Sequence, residues 1–321
     1  MQKNAAILGL IVQYIAHMVS IMLHTRHARK SLVSPAELAL LAVTMVWGVT
    51  FLVVYIAVEY GAPILFVGVR FLLAGLLMGA IFWRAMQGLT RHEIVAGASI
   101  GLALFLGYSL QSFGLQSISS SKSAFITALY VPIVPLLQWA LLRKPPGVLS
   151  WIGIGLAFVG LTLLAGPEAL QIGLGIGEVT TLIGAIAIAV EIILISRYAN
   201  SVDSRRVTVI QLLAAGLFAL GFSFAIDEAR PDVHDGIWIA CAVGLAVASA
   251  IIQFTMNWAQ KAVSATKATL IYASEPVWAG IVGRIAGDRL PFLAIIGGVF
   301  IVAGVIVSEL KLRRQKKIAG A

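Results

Sequence analysis

Hydrophobic residues occur along this chain in long runs, separated by short polar and charged segments. A run of about 20 apolar residues forms a helix long enough to cross a hydrocarbon core of about 30 Å. We predict ten such helices, over residues 38–58, 63–83, 94–115, 122–142, 148–166, 173–195, 207–226, 236–257, 265–286 and 291–310. The pattern therefore predicts an all-α membrane protein with ten transmembrane helices.

An eleventh apolar stretch, residues 5–23, precedes the ten predicted helices. Gln13 and His17 interrupt it, and no small-residue cleavage pattern follows it before Arg26, which argues against a cleaved signal peptide. We therefore expect either an extra N-terminal hydrophobic helix or a segment translated from a wrongly chosen upstream start codon. The sequence leaves these two alternatives open.

One proline and two glycines occur with the same spacing at two places in the chain. Pro132 is followed by glycine after 21 and 28 residues, and Pro276, which lies 144 residues later, is followed by glycine at the same two distances. The first copy lies in the fourth predicted helix and the second in the ninth. Because this offset of five helices is an odd number, the second copy must lie antiparallel to the first. We therefore predict two inverted five-helix repeats, an arrangement typical of secondary transporters. The glycines are expected to let helices approach closely.

The repeat divides the chain into four predicted parts. These are an N-terminal extension, a first five-helix repeat, a second five-helix repeat and a basic tail, over residues 1–36, 37–166, 167–310 and 311–321.

Composition and charge agree with a membrane protein and predict its orientation. Hydrophobic residues make up 60% of the chain and charged residues 12%, whereas roughly a quarter of a soluble domain is charged. Most Lys and Arg residues fall on one side of the predicted helices, and the other side holds Lys122, Arg230, Arg284 and Arg289. Since basic residues favour the cytoplasmic side, both ends of the ten-helix body are predicted to be cytoplasmic, in the cell (inner) membrane. The net charge of +9 then orients the helices and does not indicate nucleic acid.

The lone cysteine, Cys241, excludes a disulfide within the chain.

Several short motifs together resemble a known family. They are Trp47-Gly48-Val49-Thr50-Phe51, Arg70-Phe71, Gln111 with Gly114-Leu115, Ser121 to Thr127 followed by Pro132 and Pro135, and Glu275-Pro276. Over residues 37–310 the chain resembles the EamA-type branch of the drug/metabolite transporter superfamily. The resemblance implies ten helices in two inverted repeats, a central cavity and alternating access. It does not imply a particular substrate.

The chain departs from the family pattern after the fourth and ninth predicted helices. Family members often carry Gly-Glu there, whereas this chain has Arg143-Lys144 and Gly287-Asp288. These departures count against a transport role for the four positions.

Two acids lie inside the predicted helices. An ionisable group at membrane depth costs at least about 2.5 kcal/mol, so it calls for a compensating role. Glu275, in the middle of the ninth helix, either binds a polar solute or a proton, or forms a hydrogen bond with a neighbouring helix. Glu191, in the sixth helix, has the same alternatives and also the option of pairing with Arg197. Because burial favours the neutral form of a carboxyl group, either acid is a candidate proton carrier.

Other polar and aromatic residues are candidates for binding a solute or for holding helices together. Because spacings of three and four place side chains on one helix face, Tyr108 shares a face with Gln111, and Gln253 shares one with Asn257. The remaining candidates are aromatic, and each either lines a cavity or packs: Trp47, Tyr130 and Tyr272. The sequence leaves binding and packing open for all of these residues.

Proline and arginine residues shape the predicted helices further. Pro132 and Pro135 in the fourth helix and Pro276 in the ninth each remove a backbone donor, so we predict kinks there. Arg70, about a third of the way along the second helix, is expected to extend outward to the membrane surface or to pair with an acid such as Glu59.

Enzymatic motifs give no support for catalysis. The sequence has no His-Glu-x-x-His and no phosphate-binding Gly-x-x-x-x-Gly-Lys-Ser/Thr, and its five histidines are dispersed. Its one Gly-x-Ser-x-Gly match, Gly97 to Gly101, lies inside the predicted helix 94–115 and not at the strand-to-helix turn that a nucleophilic serine requires. We therefore predict no catalysis, no metal site and no cofactor.

The favoured function is a secondary transporter in the lipid bilayer that exports a small metabolite or amino-acid-like solute, with proton coupling as an option. The alternative is a non-transporting membrane protein, such as a lipid-handling enzyme or a subunit of a membrane complex. The sequence does not indicate an oligomeric state.

Overall fold

The computed structural model describes residues 34–118, 120–143, 147–170, 175–231, 233–234, 236–286 and 292–309. The predicted apolar stretch 5–23, the basic tail 311–321, Lys144 and Asp288 lie outside the described residues.

Helices and short connecting segments make up the whole described part of the chain, which contains no strand. The helices are α1 (Pro35–Val58), α2 (Pro63–Ile81), α3 (Trp83–Met86), α4 (Arg91–Gly114), α5 (Ser120–Thr127), α6 (Tyr130–Leu142), α7 (Val148–Leu170), α8 (Ile176–Tyr198), α9 (Ser204–Ala225), α10 (Ile237–Ala259), α11 (Ala265–Tyr272), α12 (Glu275–Ala286) and α13 (Phe292–Glu309).

Six of the described helices, α1, α2, α4, α8, α9 and α10, are long and apolar enough to cross a membrane. Shorter apolar stretches lie within α6, α7 and α13. Many large hydrophobic side chains are exposed on the bundle surface, including Leu76, Leu217 and Phe224. Such a surface suits contact with lipid acyl chains, and the prediction of an all-α membrane protein is confirmed.

Polar residues at the ends of the apolar runs set where helices begin. At the start of α1, the Ser34 amide donates to Glu37 Oε2 at 2.8 Å, and the Glu37 amide donates to Ser34 Oγ at 3.3 Å. Thr90 and Glu93 form the same reciprocal pair ahead of α4. These capping boxes satisfy amides that a helix leaves without partners in its first turn.

The fourth and ninth predicted helices are each two helices. The chain turns at Ala128 and Leu129 between α5 and α6, and at Ala273 and Ser274 between α11 and α12. Pro132 and Pro276 therefore lie in the first turn of a new helix, where a missing N–H costs no helical hydrogen bond. The prediction of continuous helices over 122–142 and 265–286 is therefore wrong, because a break interrupts each of them.

Pro135 lies inside helix α6, beyond its first turn. Pro132 has no amide hydrogen to donate to the carbonyl of Ala128, four residues earlier; this carbonyl instead accepts a hydrogen bond from the Val131 amide at 3.0 Å. The break thus satisfies locally a carbonyl group that a kinked helix would leave without its usual partner.

Glycines bring α7 and α13 into backbone contact. A Cβ atom added to Gly160 would lie 2.6 Å from the carbonyl oxygen of Gly297, and one added to Gly304 would lie 2.6 Å from that of Gly153. The expectation that these glycines permit close helix approach is confirmed. The other main packing partners are α2 with α9, α4 with α8 and α9, α10 with α1 and α2, and α12 with α1.

We predict that Gly160→Ala destabilises the protein by about 1–3 kcal/mol, because the added methyl group must push α13 away from α7. Thermal unfolding of the purified protein in detergent measures the effect. Gly155→Ala, on the same helix and with nothing within 4 Å of the new Cβ atom, is the matched control and should not lower the melting temperature. Equal melting temperatures for the two variants would contradict the close contact.

Candidate functional site

The two helix breaks meet in the interior of the bundle. Tyr130, the first residue of α6, donates its hydroxyl to Oε2 of Glu275, the first residue of α12, at 3.1 Å. Both side chains are buried. Beside them, Thr44 on α1 and Ser274 in the second break share a hydrogen bond of 3.0 Å between their hydroxyl groups. Each break therefore places a polar side chain where the two halves of the chain meet.

A cavity opens beside this contact. Its lining residues are Trp47, Thr50, Phe51, Val54, Arg70, Tyr108, Gln111, Thr127, Tyr130, Ile188 and Glu275. The part of the cavity that the centre of a water molecule can occupy has a volume of about 20 Å³. This volume is enough for about one or two water molecules. A solute larger than water therefore needs the surrounding helices to move.

Five of the predicted site residues line this cavity: Trp47, Tyr108, Gln111, Tyr130 and Glu275. Gln111 Nε2 also donates to Thr127 Oγ1 at 2.9 Å, which ties α4 to α5. Polar groups and aromatic rings thus line the same small space.

Tyr272 lies behind the cavity wall. Its ring packs edge-on against Trp47, with 5.0 Å between the ring centroids and 71° between the planes. Its hydroxyl accepts a hydrogen bond from Gln260 Nε2 at 3.4 Å. In this conformation Tyr272 orients Trp47 and does not itself border the open space.

Glu191, Gln253 and Asn257 belong to a separate buried network. Gln253 Nε2 donates to Glu191 Oε1 at 3.0 Å, and Gln211 Nε2 donates to Gln253 Oε1 at 2.7 Å. Asn257 Nδ2 donates to Gln211 Oε1 and to Thr208 Oγ1, both at 3.0 Å. The network joins α8, α9 and α10, and none of these residues borders the cavity.

Two features of this network differ from the sequence-based alternatives. Glu191 is 1% exposed and takes its hydrogen bond from Gln253, so it does not use Arg197 as its partner. Gln211, at the centre of the network, was not among the predicted residues. Its position in an apolar helix was the available signal, because an amide in the membrane needs a partner on a neighbouring helix.

The prediction for Arg70 is wrong. The side chain is 2% exposed and lines the cavity, so it neither extends to the membrane surface nor pairs with the exposed Glu59. Its Nε donates to Ser249 Oγ at 2.6 Å. The rings of Phe71 and Tyr108 lie 5.1 Å and 5.2 Å from the guanidinium carbon and stabilise the inward position by cation–π attraction.

A polar contact closes the bundle at the N-terminal end of α1. Lys267 on α11 forms an ion pair with Glu37 on α1. Nearby, Thr266 Oγ1 donates to Gln138 Oε1 at 2.6 Å, which ties α11 to α6. The cavity borders residues closer to the C-terminal end of α1, from Trp47 to Val54. The ion pair and the cavity therefore occupy different depths along α1.

Metal ligands do not cluster in the described part of the chain, where no three His, Cys, Asp or Glu residues could hold a metal ion together.

Comparisons with known proteins match almost the whole helical body. The model of the EamA-like transporter family matches residues 34–166 and again 175–310. An "Uncharacterized transporter" of Archaeoglobus fulgidus is 28% identical over 279 residues, which cover 86% of this chain and 86% of the relative. The "Uncharacterized inner membrane transporter YedA" of Escherichia coli strain K12 is 29% identical over 281 residues, which cover 84% of this chain and 89% of the relative.

A solved structure shares the fold. It is titled "Crystal structure of protein", is 19% identical in sequence and superposes with a TM-score of 0.69, covering 86% of this chain and 97% of its own. At this identity the likeness concerns the fold alone.

We predict that Tyr130→Phe lowers the free energy of unfolding by about 1–3 kcal/mol, because the buried Glu275 carboxyl group loses its donor. Denaturant unfolding in mixed micelles measures the loss. Tyr55→Phe, at a half-buried position on α1 that does not line the cavity, is the control and should have little effect.

In a Glu275→Met background the hydroxyl of Tyr130 has no carboxyl acceptor, so Tyr130→Phe should cost less there than in the wild type. The same cost in both backgrounds would show that the two side chains do not interact.

Proposed function

The chain belongs to the EamA-like transporter family, and on that premise we propose that it is a secondary transporter that exports a small, amino-acid-like metabolite across the cell membrane by alternating access. The observation that carries the proposal is the cavity between the two helix breaks, where Tyr130 contacts Glu275. Broken helices that meet near the membrane midplane commonly form the substrate sites of secondary transporters. A non-transporting membrane protein would not need a polar cavity between its halves.

We propose ten membrane-crossing segments in two inverted repeats, residues 37–166 and 167–310. In this arrangement α1 of the first repeat corresponds to α8 of the second, α2 to α9, α4 to α10, α5–α6 to α11–α12, and α7 to α13. Two observations support the pairing: the family model matches the chain twice, and each helix break lies two to four residues ahead of its proline, Pro132 or Pro276. The packing is also reciprocal, since α4 packs on α8 as α10 packs on α1.

Alternating access requires a gate on each side of the cavity. With the N-terminal end of α1 at the cytoplasm, as the basic loops favour, the Glu37–Lys267 ion pair closes the cytoplasmic side. The Thr44–Ser274 hydrogen bond, between that ion pair and the cavity, holds α1 against the second helix break. Opening toward the cytoplasm would separate α1 from α11 and α12 and so break both contacts.

Glu275 is the proposed coupling residue. The titratable and charged groups that border the cavity with it are Tyr130, Tyr108 and Arg70. An ionised Glu275 would attract the ammonium group of a solute, and a protonated one would release it. Exchange of a proton for the solute would then drive export, the direction proposed for this carrier.

The first test is uptake of labelled amino acids and amphipathic drugs by liposomes that contain the purified chain. We expect at least one panel member to enter well above the level of protein-free liposomes. Uptake should be severalfold faster at an external pH of about 8 than of about 6, because the ionised Glu275 binds the cation better. Failure of every panel member would count against the transport proposal.

Glu275→Gln should remove most of this pH dependence while leaving the amount of folded protein unchanged. Glu59→Gln, an exposed acid at the end of α1, is the control and should keep the wild-type pH response. Persistence of the full response in Glu275→Gln would transfer the coupling role to another group, and Glu191→Gln is the variant to examine next.

The gate is tested by a reversible cross-link. In a Cys241→Ser background, Thr44→Cys and Ser274→Cys place two thiols where the hydroxyl groups lie 3.0 Å apart. We expect oxidation to reduce uptake about tenfold or more, because α1 can no longer leave the second break, and reductant to restore it. Each single cysteine variant is a control. Wild-type transport by fully cross-linked protein would contradict the gate.

A further inference from the structure

Arg70 is a buried cation to which the proposed transport cycle gives no role. It belongs to α2, is 2% exposed and borders the cavity. An arginine inside a membrane helix is costly unless it serves a partner or a substrate. Its guanidinium group also stays charged at neutral pH, so the cost cannot be avoided by losing a proton.

Protein groups satisfy Arg70 only in part. Ser249 accepts one hydrogen bond, from Nε, and Phe71 and Tyr108 present their rings. Among the residues that the structure describes, no carboxylate lies within 4.0 Å of the guanidinium nitrogens. The two terminal nitrogens, which carry the fork of donors typical of anion recognition, have no protein acceptor within the same described part.

The buried acids do not neutralise this charge by contact. Glu275 takes its hydrogen bond from Tyr130, and Glu191 takes its own from Gln253. The other residues along the cavity wall, as far as the structure describes it, include no second cation. The cavity therefore presents one positively charged guanidinium group, that of Arg70, to any solute that enters it.

The chemistry of this fork fits a carboxylate. A planar guanidinium group binds a carboxylate through two parallel hydrogen bonds, and a single cation balances the single negative charge. A phosphate group with two charges would suit a wall with further cations. Trp47, Phe51 and Ile188 line the same cavity and provide apolar surface for a hydrocarbon or aromatic portion of the ligand.

We propose that Arg70 binds the carboxylate group of the transported solute, so that the substrate class is organic carboxylates with an apolar portion, amino acids included. Ser249 holds Nε, and the aromatic rings beside the guanidinium group keep the terminal nitrogens directed into the cavity. The inference rests on the proposed function for the statement that the ligand is transported, but binding can be measured without transport.

The test is thermal unfolding of the purified full-length chain with small aromatic probes. The carboxylate probes are benzoate, 3-phenylpropionate and L-phenylalanine, and the matched probes without a carboxylate or an ammonium group are benzamide and 3-phenylpropanamide. We expect at least one carboxylate to raise the melting temperature by about 2–5 °C near saturation, since a ligand that binds only the folded state stabilises it. The probes without a carboxylate should have no such effect.

Arg70→Gln should lose the carboxylate-dependent shift, and Arg70→Lys should keep only part of it because lysine lacks the fork. Arg84→Gln removes the same charge from the exposed helix α3 and should keep the full shift. Gel filtration and circular dichroism establish that each variant is folded; if Arg70→Gln is not, Arg70→Lys decides the comparison. A shift of equal size in the Arg70 variants, an equal shift with benzamide, or no shift with any carboxylate would overturn the proposal.

The transport assay separates this proposal from the broader one. A chain that binds carboxylates through Arg70 but moves no solute would retain the inference and lose the transport function. A chain that transports solutes without a carboxylate equally well in wild-type and Arg70→Gln forms would retain the transport function and lose the inference.

Discussion

A polar group inside a hydrocarbon layer has no water to bind, so its partner must come from the protein or from something that the protein encloses. This constraint explains the interior of the bundle. The Glu275 carboxyl group lies against the hydroxyl of Tyr130, and the Glu191 carboxyl group lies against the amide of Gln253. The helix breaks face the interior for the same reason, since a backbone turn exposed to lipid would leave its amides and carbonyl groups without partners.

The interior contains two polar regions of different character. The network around Glu191 is closed on itself: three amide side chains and Thr208 join three helices through several short hydrogen bonds. The cavity is open, with room for water and with a guanidinium group that is only partly bonded. A closed network fixes helices relative to one another, whereas incomplete bonding leaves a place for a ligand. The difference favours α8, α9 and α10 as a fixed frame and the broken helices as the parts that rearrange.

Local sequence was enough to predict the helical class and the position of most helices, because the length of an apolar run is a local property. It located both irregular points through Pro132 and Pro276. It could not tell a kink from a complete break, since that outcome depends on which neighbouring groups satisfy the backbone. The direction of Arg70 was missed for a similar reason: Tyr108 and Ser249, on two other helices, hold it inside.

The contact between Tyr130 and Glu275 also bears on how such a chain could arise. The two residues occupy nearly corresponding places in the proposed repeats, one at the start of each second half-helix, but their side chains differ and complement each other. Two identical copies of the first repeat, associated about a twofold axis, would bring two phenols together at this point, and two copies of the second would bring two carboxylic acids together. A phenol and a carboxylic acid can each donate and accept a hydrogen bond, so either symmetric pair could bond, but the unlike pair of Tyr130 and Glu275 requires two repeats of different sequence, as in a single chain that contains both.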